Sequence, residues 1–191
     1  MGERISGLVL AGGLSRRFAG EDKGWQPYRG RPLIEHALDQ LAGLDEILIS
    51  VNHDVARYAA LGHPVIGDRR PGRLGPLSGI ETALLESGAD ALLVIPCDVL
   101  GAPAGWAHSL IAHAHALHSP WVGTGDGDRL QPLLGYWSAS LLPHIGRALD
   151  EHRLRVMRLI EPWQAHALAL PGGHRLLNLN TPQALAAAQA D

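Results

Sequence analysis

The sequence predicts a three-layer α/β/α sandwich built on a mostly parallel sheet. Three observations carry this. Runs of five or six apolar residues at 5–10, 47–51 and 91–95 suit strands buried on both faces, which read as continuous rather than alternating. Segments with apolar residues at helical spacing lie between them. Turns rich in Gly, Pro and Asp close each strand, and such alternation of strand and helix is the signature of a covered parallel sheet.

In chain order, residues 5–10 form a buried strand that Ala11-Gly12-Gly13 breaks, and a loop rich in Gly, Ser and Arg runs to about Gly24. A helix follows over 32–41, with Pro32 near its start and Leu33, Ile34, Ala37, Leu38 and Leu41 on one face. Residues 47–51 are a second strand, and 54–61 a helix that Asp54 is placed to cap. A short strand over 64–67 ends at Asp68, and a Gly/Pro/Arg loop over 69–76 leads into a helix over 77–86. The strand over 91–95 ends in Pro96-Cys97-Asp98; a helix over 106–118 and a strand over 121–123 follow. Asp126-Gly127-Asp128 is a turn, from which 133–137 returns as a strand. Residues 138–150 are helical with an interruption near Pro143, a strand lies near 165–170, and a last helix starts at Thr181. No linker or repeat divides the chain, so residues 1–191 are expected to form one domain.

Composition narrows the class. A net charge of −3 gives no electrostatic footprint for nucleic acid. No apolar run approaches the length of a signal-peptide core or a membrane span, so no membrane partner and a cytoplasmic location are expected. Cys97 is the one cysteine, which rules out an internal disulfide and a multi-cysteine metal site. Of sixteen Lys and Arg residues, Lys23 alone is lysine, and only Asn52, Asn178 and Asn180 are asparagine. A chain that uses Arg elsewhere keeps Lys where a compact, rotatable ammonium matters; a survivor of biased codon usage is the competing account.

In such sheets ligands bind beyond the carboxyl ends of the strands, and Gly12, Asn52, Asp68 and Asp98 all fall there. The first candidate is Leu10-Ala11-Gly12-Gly13-Leu14-Ser15-Arg16-Arg17-Phe18-Ala19-Gly20-Glu21-Asp22-Lys23. It has neither the Walker A nor the GxGxxG pattern. Its glycines nonetheless let backbone N–H groups approach an anion, Arg16 and Arg17 offer forked donors, and Lys23 offers a point charge. The second is Asp98, held rigidly just past a buried strand. One carboxylate plus substrate phosphates suffices for Mg²⁺, although a capping role would look the same. The third is the loop from Asp68 to Ile80, where Asp68 could bond a ribose or base and the arginines a phosphate; an exposed basic loop is the alternative.

The stretch from Leu10 to Lys23, Gly75-Pro76-Leu77, Pro96-Cys97-Asp98 and Asn178-Leu179-Asn180-Thr181-Pro182 together resemble the molybdenum cofactor guanylyltransferases, in order and across essentially the whole chain. The opening loop alone resembles many nucleotidylyltransferases; the Asn-x-Asn-Thr-Pro ending is more specific. The resemblance implies a Rossmann-like nucleotidyltransferase fold whose N-terminal half binds nucleotide and whose C-terminal half binds the acceptor. It implies that Leu10, Ala11, Gly12, Gly13 and Lys23 surround GTP, that Asn52 and Asp68 contact base or ribose, and that Asp98 binds Mg²⁺. Asn178 and Asn180 would face the pterin. Leu10-Ala11-Gly12-Gly13 resembles the guanine-using members more than the cytosine-using ones. Phe18 and Ala19 depart from the family's usual Met and Gly, and Arg153-Leu154-Arg155-Val156-Met157 only loosely matches a basic stretch near the pterin phosphate.

The implied reaction transfers GMP from GTP to molybdenum-molybdopterin and releases pyrophosphate, with Lys23, Arg16 and Asp98 as the catalytic residues and transient contact with cofactor-insertion proteins or apo-molybdoenzymes. A cytidylyl- or sugar-phosphate nucleotidylyltransferase, or a non-catalytic carrier of GTP and cofactor, are the alternatives. His108, His113, His115 and His118 on one helix suit a solvated face better than a metal site. Cys97, beyond a buried strand, has no evident partner for nucleophilic work, and the five Trp are accounted for by packing.

Overall fold

The computed structural model describes residues 2–12, 22–127, 129–172 and 174–190. Its centre is β1 (Ile5–Leu10), which pairs in parallel with β4 (Ile47–Ser50) on one side and β6 (Ala91–Pro96) on the other. Beyond β4 lies β5 (Val65–Ile66), also parallel. Beyond β6 come β9 (Leu130–Ser138), β8 (Trp121–Gly125) and β10 (Leu168–Ala169). The seven strands stand in the order β10-β8-β9-β6-β1-β4-β5. β9 is antiparallel to both its neighbours, so six strands run one way and β9 alone returns. The predicted class, and the return strand after the Asp126 turn, are both present.

Two apolar layers cover the sheet because successive strand residues point to opposite faces. Val9, Ile49, Leu93 and Ile95 meet Ile34 and Ala37 of α1 (Leu33–Gln40), Tyr58 of α2 (Val55–Ala59) and Trp106 and Leu110 of α4 (Trp106–Leu117). Leu8, Leu48, Leu92 and Val94 meet Leu77 and Ile80 of α3 (Pro76–Ser87) and Ile145 and Leu149 of α5 (Leu142–Asp150). Each fully buried side chain of this size contributes about 1.5–3 kcal/mol. α3 starts with Pro76 in its first turn and ends at Gly88 with φ 59°, the Pro-in, Gly-out pattern expected of helix ends.

A third, smaller cluster was not legible in the sequence. Tyr28, Leu33, Leu100, Leu179 and Leu185 gather beneath α7 (Pro182–Ala190). Tyr28 comes from a hairpin of β2 (Pro27–Tyr28) and β3 (Arg31–Pro32), Leu33 opens α1, Leu185 belongs to α7, and Leu100 lies in β7 (Val99–Leu100), which pairs antiparallel with β11 (Leu177–Asn178), just before Leu179. Arg29 and Gly30 turn the hairpin with φ 48° and 79°; two positive values are what a tight two-residue hairpin requires. Strands of two residues leave too little periodicity to read. This cluster brings the C-terminal segment over the start of the chain.

Two local expectations are corrected. Asp54 does precede α2, but it sits at φ 48° and its side chain makes no capping hydrogen bond; its carbonyl accepts from Arg57 N instead. The strand expected near 165–170 is confined to 168–169, because 161–166 wind into a 3-10 turn.

β8 and β9 meet at Gly123 and Gly135, next to a bulge at Gly123/Thr124. A Cβ on Gly135 would stand 2.4 Å from the Val122 carbonyl oxygen and 3.1 Å from the Gly123 Cα. Backbone cannot yield there as a flexible side chain would. Gly135→Ala is expected to lower stability by about 1–3 kcal/mol, read as a lower urea midpoint with an unchanged slope.

Candidate functional site

Parallel pairing brings the ends of β1, β4, β5 and β6 to one edge: Leu10 lies opposite Ser50 and Pro96, and Ser50 opposite Ile66. The chain leaving β1 is tied down at once, since Ala11 N and Gly12 N both donate to Ser50 O at 3.0 Å. Those two amides are thus engaged within the protein. Gly13, Arg16 and Arg17 lie outside the described residues.

Asp22, immediately before the 3-10 turn Lys23–Trp25, carries no sequence pattern that marks it as a site residue. Its carboxylate accepts from Tyr58 Oη at 2.9 Å, from Gly24 N at 3.0 Å and from His53 Nε2 at 3.1 Å. The side chain is only 7% exposed, so these donors replace the water it has lost. Tyr58 lies wholly buried beneath it, and burial followed by the Asp22 charge pushes the phenol well above its ordinary range. The hydroxyl therefore remains a donor. A Cβ on Gly24 would come within 2.4 Å of Tyr58 Oη, so the bond needs glycine at that position. Trp25 packs on Tyr58 with ring centroids 5.3 Å apart, and the Arg57 guanidinium lies over the Trp25 ring at 4.0 Å. The 3-10 turn Lys23–Trp25 is thereby braced against α2.

That brace aims Lys23. Its ammonium donates to Asp98 Oδ2 and, at 2.6 Å, to Asn180 Oδ1. Asp98 sits in the tight turn between β6 and β7, where its carbonyl accepts from Leu179 N at 2.8 Å. No helix follows it, so the competing capping role does not apply. Asn180 arrives because β11 pairs with β7, with Asn178 opposite Val99. Three predicted residues from distant parts of the sequence thus share one contact, and Asn178 lies one strand pair away.

Asn52 and Asp68 form a second, reciprocal pair. Asn52 Nδ2 donates to Asp68 Oδ2, and Asp68 N donates to Asn52 Oδ1, both at 2.8 Å. The loop beyond Asp68 is held by Arg70, whose guanidinium grips Glu81 of α3 through two bonds of 2.6 and 2.8 Å and reaches Asp150 of α5 at 2.5 Å. Arg70 thus clamps the loop between α3 and α5. Its partner Glu81 sits inside α3 with no sequence signal to connect the two.

The Asp98 carboxylate and the Asn180 amide oxygen converge on one cation, the lysine ammonium. These are hard oxygen donors of the kind that suits Mg²⁺ rather than a soft metal. Among the described residues no group of three or more His, Cys, Asp or Glu could hold a metal. A cation shared with substrate phosphates needs no such group. His115 is engaged instead with Glu3 at 2.5 Å. A cavity of about 570 Å³, lined by His115, His118, Ser119, Tyr136, Ser138 and Ser140, opens at the amino end of β8, and none of the predicted site residues among those described lines it. Cys97 lies buried beneath the cluster, with its thiol pushed up to about 12 by burial and the Asp98 charge.

A six-up, one-down sheet with a lysine–carboxylate pair at its carboxyl edge marks an α/β protein of the open-sheet kind, in which ligands generally bind outside the strand ends. Known proteins make this specific. The family model for the MobA-like NTP transferase domain matches residues 7–167. A Shewanella woodyi protein named molybdenum cofactor guanylyltransferase is 34% identical over 96% of this chain and 94% of its own. A crystal structure of molybdopterin-guanine dinucleotide biosynthesis protein A from Archaeoglobus fulgidus superposes with a TM-score of 0.77 over 97% of both chains, at 20% identity. One of a putative glucose-1-phosphate thymidylyltransferase from Bacillus anthracis does so with 0.72, over 97% of this chain and 94% of that one, at 13% identity. These two likenesses concern the fold alone. The chain belongs to the MobA-like NTP transferase family and is a nucleotidyltransferase enzyme. No helix among the described residues is long and apolar enough to cross a membrane.

Arg70→Met would leave the Glu81 carboxylate, 8% exposed, without its partner. The expected loss is about 2–3 kcal/mol in urea unfolding, largely recovered in the double variant with Glu81→Met. Cys97 makes a prediction in pH. Below about 8.5 the thiol is protonated in both folded and unfolded chains. As pH rises from there toward 12, the unfolded chain releases the proton and the folded chain keeps it, so stability falls. Cys97→Ala is expected to flatten that alkaline decline, and the native thiol to resist a disulfide reagent at pH 8 until the chain is unfolded.

Proposed function

We propose that this enzyme transfers GMP from GTP to molybdenum-molybdopterin, forming the guanine dinucleotide cofactor and pyrophosphate. The observation that carries this reading is the meeting of Lys23, Asp98 and Asn180 at the carboxyl edge of the sheet. The named relatives, at 34% identity over nearly the whole chain, supply the substrates.

The nucleotide lies across the ends of β1, β4 and β5, in the N-terminal half of the single domain. Leu10, Ala11, Gly12 and Gly13 line the triphosphate side, and the Asn52–Asp68 pair offers amide and carboxylate edges to base or ribose. The acceptor lies toward Asn178 and Asn180, in the C-terminal half. Asp98 and Asn180 would hold Mg²⁺ together with substrate phosphates; when bound, it supplies charge neutralisation at the triphosphate.

The acceptor's terminal phosphate oxygen attacks the α-phosphorus of GTP. The new P–O bond forms as the bond from the α-phosphorus to the bridging oxygen breaks, and pyrophosphate leaves with that electron pair. The attacking phosphate is already ionised at neutral pH, so no general base is needed. Lys23 and Arg16 neutralise the triphosphate and stabilise the departing charge, and the braced turn at Asp22 holds Lys23 for that purpose. Catalysis rests on positioning and electrostatics. Transient contact with cofactor-insertion proteins or apo-molybdoenzymes would complete delivery, and the reaction is assigned to the cytoplasm.

The test is pyrophosphate release from GTP, CTP and ATP in turn, with molybdenum-loaded molybdopterin and Mg²⁺. Release with GTP alone is expected, reduced about 10²–10³-fold in Asp98→Ala. Release with CTP instead would overturn the base preference. GTP binding without release from any nucleotide would make the chain a carrier.

A further inference from the structure

The three residues that meet at the sheet edge have separate duties in the reaction proposed above, on which this inference rests. Asp98 serves the metal, Lys23 the triphosphate, and Asn180 the metal and the acceptor side. In the structure they meet one another. The ammonium of Lys23 donates to Asp98 Oδ2 and to Asn180 Oδ1, and the Lys23 and Asp98 side chains are only 19% and 14% exposed. An ammonium at that focus and a divalent cation on the same oxygens would be like charges within a few ångströms, in a partly water-excluded cleft where repulsion is strong. Both arrangements cannot hold at once.

We propose that Lys23 is a counter-ion gate: it closes the metal and acceptor positions until a nucleoside triphosphate draws it away. The anatomy of the turn suits this. Its backbone is pinned by Asp22, Tyr58 and Gly24, and a lysine carries its charge on a four-carbon stem with several rotatable bonds, so the ammonium can be redirected without moving that backbone. A triphosphate beside Gly12 offers the ammonium a denser negative charge than one carboxylate. As Lys23 leaves, Asp98 becomes available to the cation that accompanies the phosphates, and Asn180 to the acceptor. The order of events follows: nucleotide first, acceptor second, with the bare protein a poor binder of the metal alone. The same contact ties the start of the chain to its C-terminal segment, so its release loosens the cleft on the acceptor side.

The test uses the full chain and needs no turnover. Mn²⁺ is titrated without nucleotide and followed by electron paramagnetic resonance. Wild type is expected to bind weakly, Lys23→Met at least about tenfold more tightly, and Lys23→Met combined with Asp98→Asn not measurably. Because Lys23 is the chain's one lysine, ¹³C-lysine labelling gives a single side-chain ammonium reporter in the unmutated protein. Its signal is expected to stay in place on adding Mg²⁺ alone and to move on adding a non-hydrolysable GTP analogue. Equal Mn²⁺ affinity in wild type and Lys23→Met, with binding still lost in the double variant, overturns the gate and leaves the metal assignment standing. A lysine signal that moves with Mg²⁺ alone also overturns the gate. Mn²⁺ binding that survives in the double variant overturns the Asp98 assignment, and the gate with it.

Discussion

β1 is paired in parallel along both edges, with Leu10 opposite Ser50 on one side and Pro96 on the other. That constraint governs the rest of the structure. Three strands that start and stop in register must release their chains at the same edge, and each chain then has to turn in a crowded place. The outcome is a row of turns in which Gly12, Asn52, Asp68 and Asp98 are neighbours although up to 86 residues separate them in sequence. Hydrophobic burial on both faces makes the register expensive to change, since a slip by one residue would exchange the two apolar layers. The site is accurate because the core beneath it is.

On that platform the polar groups are arranged by desolvation. Asp22 and Asp98 are both largely withdrawn from water, and each has acquired donors to compensate: a phenol, an amide and an imidazole for Asp22, an ammonium for Asp98. The two carboxylates stand on either side of Lys23 with different effects. Asp22 fixes the backbone that carries the lysine, and Asp98 attracts its charge. The braced turn thus keeps the lysine charge beside Asp98 and Asn180 at the carboxyl edge of the sheet.

The third apolar cluster, beneath α7, joins the ends of the chain. It is small, but it decides where Asn178 and Asn180 go. Leu179, between them, is buried in that cluster, so the two asparagines flank an apolar anchor, with Asn178 paired opposite Val99 and Asn180 against Lys23. The Arg70–Glu81–Asp150 clamp does comparable work for the loop that follows Asp68, locking it between α3 and α5. Both devices use residues remote from the chemistry to set the position of residues close to it.

Apolar runs and turn residues were enough to read the layer order and the sheet class from the sequence alone, and the lone lysine and the strand-end turns pointed to Lys23, Gly12, Asp68 and Asp98, while Asn178 and Asn180 entered through the resemblance to the guanylyltransferases. These are local properties: a buried parallel strand is continuously apolar wherever it lies, and a strand end is marked by the residues that turn it. Asp22, Tyr58, His53 and the Arg70 clamp were not legible, because their significance lies in partners 11 to 80 residues away that no periodicity links. The two-residue strands were too short to show a pattern. Above all, the sequence marked Lys23, Asp98 and Asn180 as separate candidates. Only the tertiary structure decided that they touch, because contact between them depends on the β7–β11 pairing and the α7 cluster folding the end of the chain back over its beginning.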